Sequence, residues 1–148
     1  MPRILIVEDN EEQRDALSRQ LQQRGFAIVT AADGQQGLAS AMNEKPDLVL
    51  MDLNMPGMDG WEATRQIKAA PETRDLDVIV LAEQTLAGDR ERAFEAGCAH
   101  YNAKPVDFET LIEQIETLLK NKATTRVMEA DAGTPELKVV GIVAITAR

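Results

Sequence analysis

Cysteine is almost missing from this chain of 148 residues, with Cys98 the single example. A lone thiol excludes an internal disulfide and a cysteine-built metal cluster, and Cys98 reads as a small core residue. Long apolar runs are missing too. No segment approaches the length needed to cross a bilayer, and the apolar run in the opening "MPRILIVEDN" is too short for a secretory leader. Positive charge is scarce: 16 Lys and Arg stand against 25 Asp and Glu, for a net charge of −9. Such a surface repels the phosphate backbone, which argues against direct nucleic-acid binding. The expectation from these absences is a cytoplasmic protein. What is present is globular in kind, 44% hydrophobic and 28% charged, at a length that suits one domain with a real core.

Short apolar runs alternate with helical patterns along the chain. "RILIVE" (Arg3–Glu8) is a continuous apolar run closed by acids, as a strand covered on both faces should be. Asn10 to Arg24 carries Ala16, Leu17 and Leu21 on one helical face, and Gly25 stops it. "FAIVTA" reads as the second strand and Gly34–Glu44 as the second helix, with Leu38, Ala41 and Met42 on its inner face. "DLVLMD" (Asp47–Asp52) follows the Pro46 break, and a helix over roughly Asp59–Ala70 ends at Pro71. "DVIVLA" (Asp77–Ala82), a helix from Leu86 to Ala96 closed by Gly97, and a short strand "AHYNA" come next. The last helix spans about Asp107–Lys120, striped by Phe108, Leu111, Ile112, Ile115, Leu118 and Leu119. Five strand-then-helix units imply a doubly wound parallel α/β sheet with helices on both faces.

In such a sheet ligands bind beyond the carboxyl ends of the strands. The first strand ends on Glu8 and Asp9, the third on Asp52, the fourth on Ala82 and Glu83, and Lys104–Pro105 lies just past the fifth. Glu8, Asp9 and Asp52 carry −3 if ionised, and Lys104 returns +1. Carboxylates crowded together either raise a pKa or recruit a cation. An all-oxygen set without His or Cys suits a hard ion, Mg²⁺ or Mn²⁺. Such an ion beside a carboxylate is what phosphoryl transfer to that carboxylate requires.

"ILIVEDN", "PDLVLMDLNMPGMDGWE" and "AGDRERAFEAGCAHYNAKPVD", in this order and spacing, resemble the receiver domain of two-component response regulators. The likeness covers about residues 3–121. It implies a flavodoxin-like sheet in strand order 2-1-3-4-5, with Asp52 as phosphoacceptor and Glu8 and Asp9 as metal-binding acids. It also implies that Asn54 offers a backbone carbonyl to the ion, that Lys104 contacts the phosphoryl group and that the Lys104–Pro105 bond is cis. Tyr101 matches the family's aromatic switch residue, although an ordinary half-buried strand aromatic is an equal reading. The implied partners are a histidine kinase or phosphotransfer protein and a downstream protein target, with a homodimer left open. The resemblance makes the chain a phosphate acceptor with possible autodephosphorylation rather than a turnover enzyme. A phosphatase of the doubly wound class is disfavoured, because Asn54 stands where its second catalytic acid would be. Trp61 and His100 read as bystanders near the rim.

One position departs from that pattern. Resembling domains end the fourth strand on Thr or Ser, whose hydroxyl bonds the phosphoryl group, whereas this chain has Ala82 and then Glu83. Thr85 lies three residues past the expected place and is not counted as a replacement. Two readings stay open: a phosphorylated receiver with a weakened switch, or a pseudo-receiver in which Glu83 reaches Lys104 and the domain serves as a phosphorylation-independent interaction module. Residues 1–121 are expected to form the receiver and residues 122–148 a linker and tail. "EADAGTP" reads as the linker, and about residues 137–146 form a β-prone run. That run reads as an added strand, the start of an output module or a disordered tail.

Overall fold

The computed structural model describes residues 1–55, 57–83 and 87–130, with 123–130 described as helix backbone. The elements are β1 (Arg3–Val7), α1 (Glu11–Gln23), β2 (Ala27–Ala31), α2 (Gly34–Asn43), β3 (Leu48–Asp52), α3 (Gly60–Ala69), β4 (Asp77–Ala82), α4 (Asp89–Ala96), β5 (His100–Ala103) and α5 (Phe108–Ala130). The strands form one parallel sheet in the order β2-β1-β3-β4-β5. The expected doubly wound order is therefore the observed one.

Residues through Phe108 form one compact unit that holds the whole sheet and α1–α4, and a second unit begins at Glu109. Side chains alternate across a strand, so each apolar run feeds two faces. On one face Leu5, Val7, Val49, Met51, Val78 and Val80 join a single buried cluster with Ala41 of α2, Ala63 and Ile67 of α3 and Ala93 of α4. Ile4, Ile6, Leu48, Leu50, Ile79 and Leu81 are buried on the other face, where Leu81 shares a cavity wall with Ala16 and Leu17 of α1. This two-sided burial explains why the strands read as unbroken apolar runs rather than as alternation.

Local chemistry sets the helix ends. Asn10, Asp33 and Asp59 cap α1, α2 and α3, each side-chain oxygen accepting a backbone N–H three residues on. Helix α4 has no such cap, and it closes on Gly97, whose φ of 108° a residue with a Cβ would resist.

Two expected boundaries differ. Helix α4 begins at Asp89 rather than Leu86, and Leu86 itself, like Thr85, lies outside the described residues. Helix α5 does not stop near Lys120 but continues to Ala130. The stretch "KNKATTRVMEA" holds no Gly or Pro, and its Ala, Lys, Arg, Met and Glu favour helix, so nothing local ends it. The expected boundary at residue 121 thus falls inside a helix, and Glu129 and Ala130 of the expected linker are helical. Within α5, Leu111, Ile112 and Ile115 of the expected stripe are buried. The β-prone run at 137–146 lies outside the described residues.

Candidate functional site

The parallel register delivers the carboxyl ends of the strands to one rim. Val7 of β1 lies beside Met51 of β3, Asp52 beside Leu81 of β4, and Ala82 beside Ala103 of β5. Backbone bonds carry the ladder slightly past the strands. Glu8 N donates to Ala31 O at 3.0 Å, Leu53 N to Leu81 O at 3.0 Å and Lys104 N to Ala82 O at 2.7 Å. The residue that follows each of β1, β3 and β5 is therefore still tied to the neighbouring strand.

On that rim Glu8, Asp9 and Asp52 present carboxylate oxygens that all lie within 4.8 Å of one another. Glu8 and Asp52 are buried, while Asp9 is exposed. Lys104 Nζ donates to Glu8 Oε1 at 2.7 Å and stands 3.6 Å from Asp52 Oδ1. Asn54 N donates to Asp52 Oδ1 at 3.3 Å, the side-chain turn that Asp favours where a strand gives way to a loop. The Lys104–Pro105 bond is cis. Gly60 lets the loop after β3 close in: a Cβ there would meet the Asp52 carbonyl oxygen at 2.3 Å.

Burial, and then the charge of Glu8, push the Asp52 carboxyl from its ordinary 3.8 up to about 7, while Lys104 and the Asn54 N–H pull it back. Burial alone would lower the Lys104 ammonium, but its bond to Glu8 and the charges of Asp52, Glu8 and Glu83 carry it above its ordinary value. A buried acid held half-protonated near neutrality marks a place where a cation is wanted. The donors fit a hard divalent ion of the magnesium class, because they are oxygens alone and three carboxyl groups face a single ammonium.

The remaining expected residues are placed as follows. Ala82 is fully buried at the end of β4, and only its backbone carbonyl serves the site, by accepting the Lys104 N–H. Glu83 is exposed and lines a cavity of about 440 Å³ together with Glu8, Gln13, Leu17, Leu81 and Lys104. The ion pairs of Lys104 run to Glu8 and Asp52. Tyr101 is buried in the hydrophobic cluster. Cys98 is buried, and burial pushes its thiol up to about 11, which leaves it unreactive near neutrality. Trp61 packs half-buried, with the Arg92 guanidinium 4.4 Å from its ring centre.

Two participants are invisible to strand-end reasoning. Arg14 Nη1 donates to the Glu8 carbonyl at 2.9 Å, and Gln13 Oε1 accepts from Lys104 Nζ at 2.8 Å. Their sequence signal is position alone: both sit on the first turn of the helix that follows the acid pair.

The sequence pattern of the response regulator receiver domain matches residues 4–116. The chain belongs to this family. Protein PilH of Pseudomonas aeruginosa is 40% identical over 119 residues, which cover 80% of this chain and 98% of that protein. The transcriptional regulatory protein PrrA of Mycobacterium tuberculosis is 34% identical over 124 residues, 84% of this chain, which spans only 52% of PrrA. Among solved structures, the receiver domain of the sensor histidine kinase PA1611 from Pseudomonas aeruginosa superposes with a TM-score of 0.74 at 34% identity. That likeness covers 80% of this chain and 98% of that one, and the PA1611 receiver holds a magnesium ion in its active-site cleft. Receiver domains bind Mg²⁺ at an acidic site, and this one presents the acid cluster of Glu8, Asp9 and Asp52. Among the described residues no helix is long and apolar enough to cross a membrane.

Proposed function

We propose that this receiver domain accepts a phosphoryl group on Asp52 from the phosphohistidine of a partner kinase or phosphotransfer protein, in a Mg²⁺-dependent reaction. The observation that carries the reading is the cluster of Glu8, Asp9 and Asp52 oxygens within 4.8 Å, with the Lys104 ammonium 3.6 Å from Asp52. An ionised Asp52 oxygen attacks phosphorus and forms the acyl-phosphate O–P bond, while the N–P bond breaks and its electron pair returns to the imidazole. Glu8, Asp9, Asp52 and the Asn54 carbonyl would hold the divalent ion, which would neutralise the acids and the incoming charge; Mn²⁺ would serve as well. Lys104 takes up the charge that transfer adds. In water such a carboxylate is a poor nucleophile, so the site's contribution is positioning and charge stabilisation.

The signal then passes to a downstream protein as a conformational change or as the phosphoryl group itself, through a switch weakened at Ala82. A methyl group there cannot make the hydrogen bond that a hydroxyl would, a loss of about 1.5–3 kcal/mol for a bond to a charged oxygen. Residues 1–121 form the signalling unit, close to the end of the family match at residue 116, and α5 leads on into the tail. The acidic surface fits a protein partner in the cytoplasm rather than nucleic acid, and a homodimer is compatible with the fold. A second reading rests on the buried methyl of Ala82 and on the exposed Glu83, which lines the cavity beside Lys104: a phosphorylation-independent docking module.

Incubation with a small acyl-phosphate donor and Mg²⁺ separates the two. Phosphate acceptance gives an acid- and base-labile mass gain that is absent in Asp52→Asn. A native chain that gains no mass leaves only the docking module.

A further inference from the structure

Helix α1 starts with the layout of a capping box, Asn10 at the N-cap and Gln13 three residues on. In that motif the two residues satisfy each other: the cap oxygen takes the N–H of the third residue, whose side chain reaches back to the cap's N–H. Here only half of it forms. Asn10 Oδ1 accepts from Gln13 N at 2.9 Å, but Asn10 N–H donates to Glu8 Oε2 at 3.2 Å instead. The Gln13 amide is thereby freed from the helix end, and its Oε1 accepts from Lys104 Nζ at 2.8 Å across 91 residues of sequence.

A lysine ammonium has three N–H donors and no acceptor. Two of them are taken, by Glu8 Oε1 at 2.7 Å and Gln13 Oε1 at 2.8 Å. Because the nitrogen is tetrahedral, fixing two N–H directions fixes the third. The nitrogen stands 3.6 Å from Asp52 Oδ1, too far for a hydrogen bond to the bare carboxylate. That separation leaves the third N–H for an oxygen attached to Asp52 rather than for Asp52 itself. With one tether alone, only the lysine stem would keep the ammonium from turning about the Glu8 bond.

We infer that Gln13 is a positioning residue for phosphoryl transfer: its amide oxygen and the Glu8 carboxylate together aim the remaining Lys104 proton at the phosphoryl group on Asp52. The inference rests on the phosphoacceptor reading of Asp52. Gln13 touches neither Asp52 nor the phosphoryl group and acts only through Lys104. It also lines the cavity between α1 and the segment after β5, so a molecule seated there bears directly on how Lys104 is aimed.

The test uses the full chain and two readouts. The first is the ¹⁵N–¹H signal of the Lys104 ammonium, identified by its loss in Lys104→Met and protected from solvent exchange by its two tethers. Gln13→Met, which keeps the side-chain stem and the helix but removes the acceptor, is expected to broaden that signal. Gln13→Glu, which keeps an oxygen at the same reach, is expected to retain it. The second is the rate of Asp52 phosphorylation by phosphoramidate with saturating Mg²⁺. Gln13→Met is expected to slow it about three- to tenfold, the loss of one partly solvated hydrogen bond. In a Lys104→Met background the same change should alter the rate by less than about twofold, since coupled residues are not additive. An unchanged ammonium signal and rate in Gln13→Met overturns the inference, and so does equal slowing with and without Lys104, which is what a merely structural Gln13 gives. A native chain that takes no phosphate overturns the reading of Asp52 and the role of Gln13 with it, while the ammonium signal still reports the tether.

Discussion

Asp52 carries the site's largest electrostatic strain, and its titration gives that strain a sign. The carboxyl is pushed from 3.8 to about 7 by burial and by Glu8. Between those values the folded chain binds more protons than the unfolded one, so stability falls as pH rises from about 4 to about 7. In buffer free of divalent ions, Asp52→Asn removes this cost and is expected to be more stable than the native chain at pH 8 by about 2–4 kcal/mol. At pH 4 it should gain little, and urea midpoints at the two pH values check it. Proton and cation compete for the same oxygens, so Mg²⁺ affinity should weaken by up to about tenfold for each pH unit below 7. Gly60 supports the same residue from behind. A Cβ there would lie 2.3 Å from the Asp52 carbonyl oxygen and 2.7 Å from Leu53 Cα, both backbone atoms that cannot swing aside. Gly60→Ala is therefore expected to cost about 3 kcal/mol and to lower the urea midpoint accordingly. Glu8, Asp9, Asp52 and Lys104 were legible in the sequence, because a parallel sheet gathers whatever follows its strands. Gln13 was not, since its role depends on the phase of a helix and on where a freed amide can reach.

At the scale of elements, α4 is the least secured helix of the first unit. It has eight residues, no side-chain cap at its N-terminus and Ala93 as its buried residue, whereas α2 and α3 are capped by Asp33 and Asp59. Its lateral hold includes the Arg92 guanidinium, 4.4 Å from the ring centre of Trp61 on α3. Few buried apolar contacts and an open helix end mean a low free energy of local opening. Amide exchange should therefore be faster in α4 than in α2 or α3. Arg92→Ala should speed it further, by about three- to fivefold for the loss of one exposed cation–π contact. Emission from Trp61, the chain's one tryptophan, should shift in the same variant. Equal protection across the three helices would refute the account. The uneven strength of local signals also explains which boundaries were legible. Helices that end on strong punctuation, such as Gly25 or Pro71, were placed to within a residue or two. The end of α5 was misplaced because Lys120–Ala130 contains no Gly or Pro to end the helix.

Across the whole molecule, a phosphoryl group at the rim matters only if it binds two arrangements of the chain unequally. Three of the groups that would contact it or its ion, Glu8, Asp52 and Lys104, are tied to each other and to strand ends, so they report occupancy of the site and little beyond it. In the proposed switch the outward contact would come from the end of β4, before α4, and there the chain has a buried methyl. A phosphoryl analogue titrated with Mg²⁺ is thus expected to shift amide resonances near Glu8, Asp9, Asp52 and Lys104 while leaving α4 and Tyr101 nearly unmoved. Ala82→Thr supplies the missing donor. A hydrogen bond to a charged phosphoryl oxygen is worth about 1.5–3 kcal/mol, enough to move a two-state equilibrium roughly tenfold to a hundredfold. In that variant the same titration should spread along β4 into α4 and to Tyr101 on β5, and Trp61 emission should respond through Arg92. Spread of the shifts in the native chain, or confinement in Ala82→Thr, would place the coupling somewhere other than the last residue of β4.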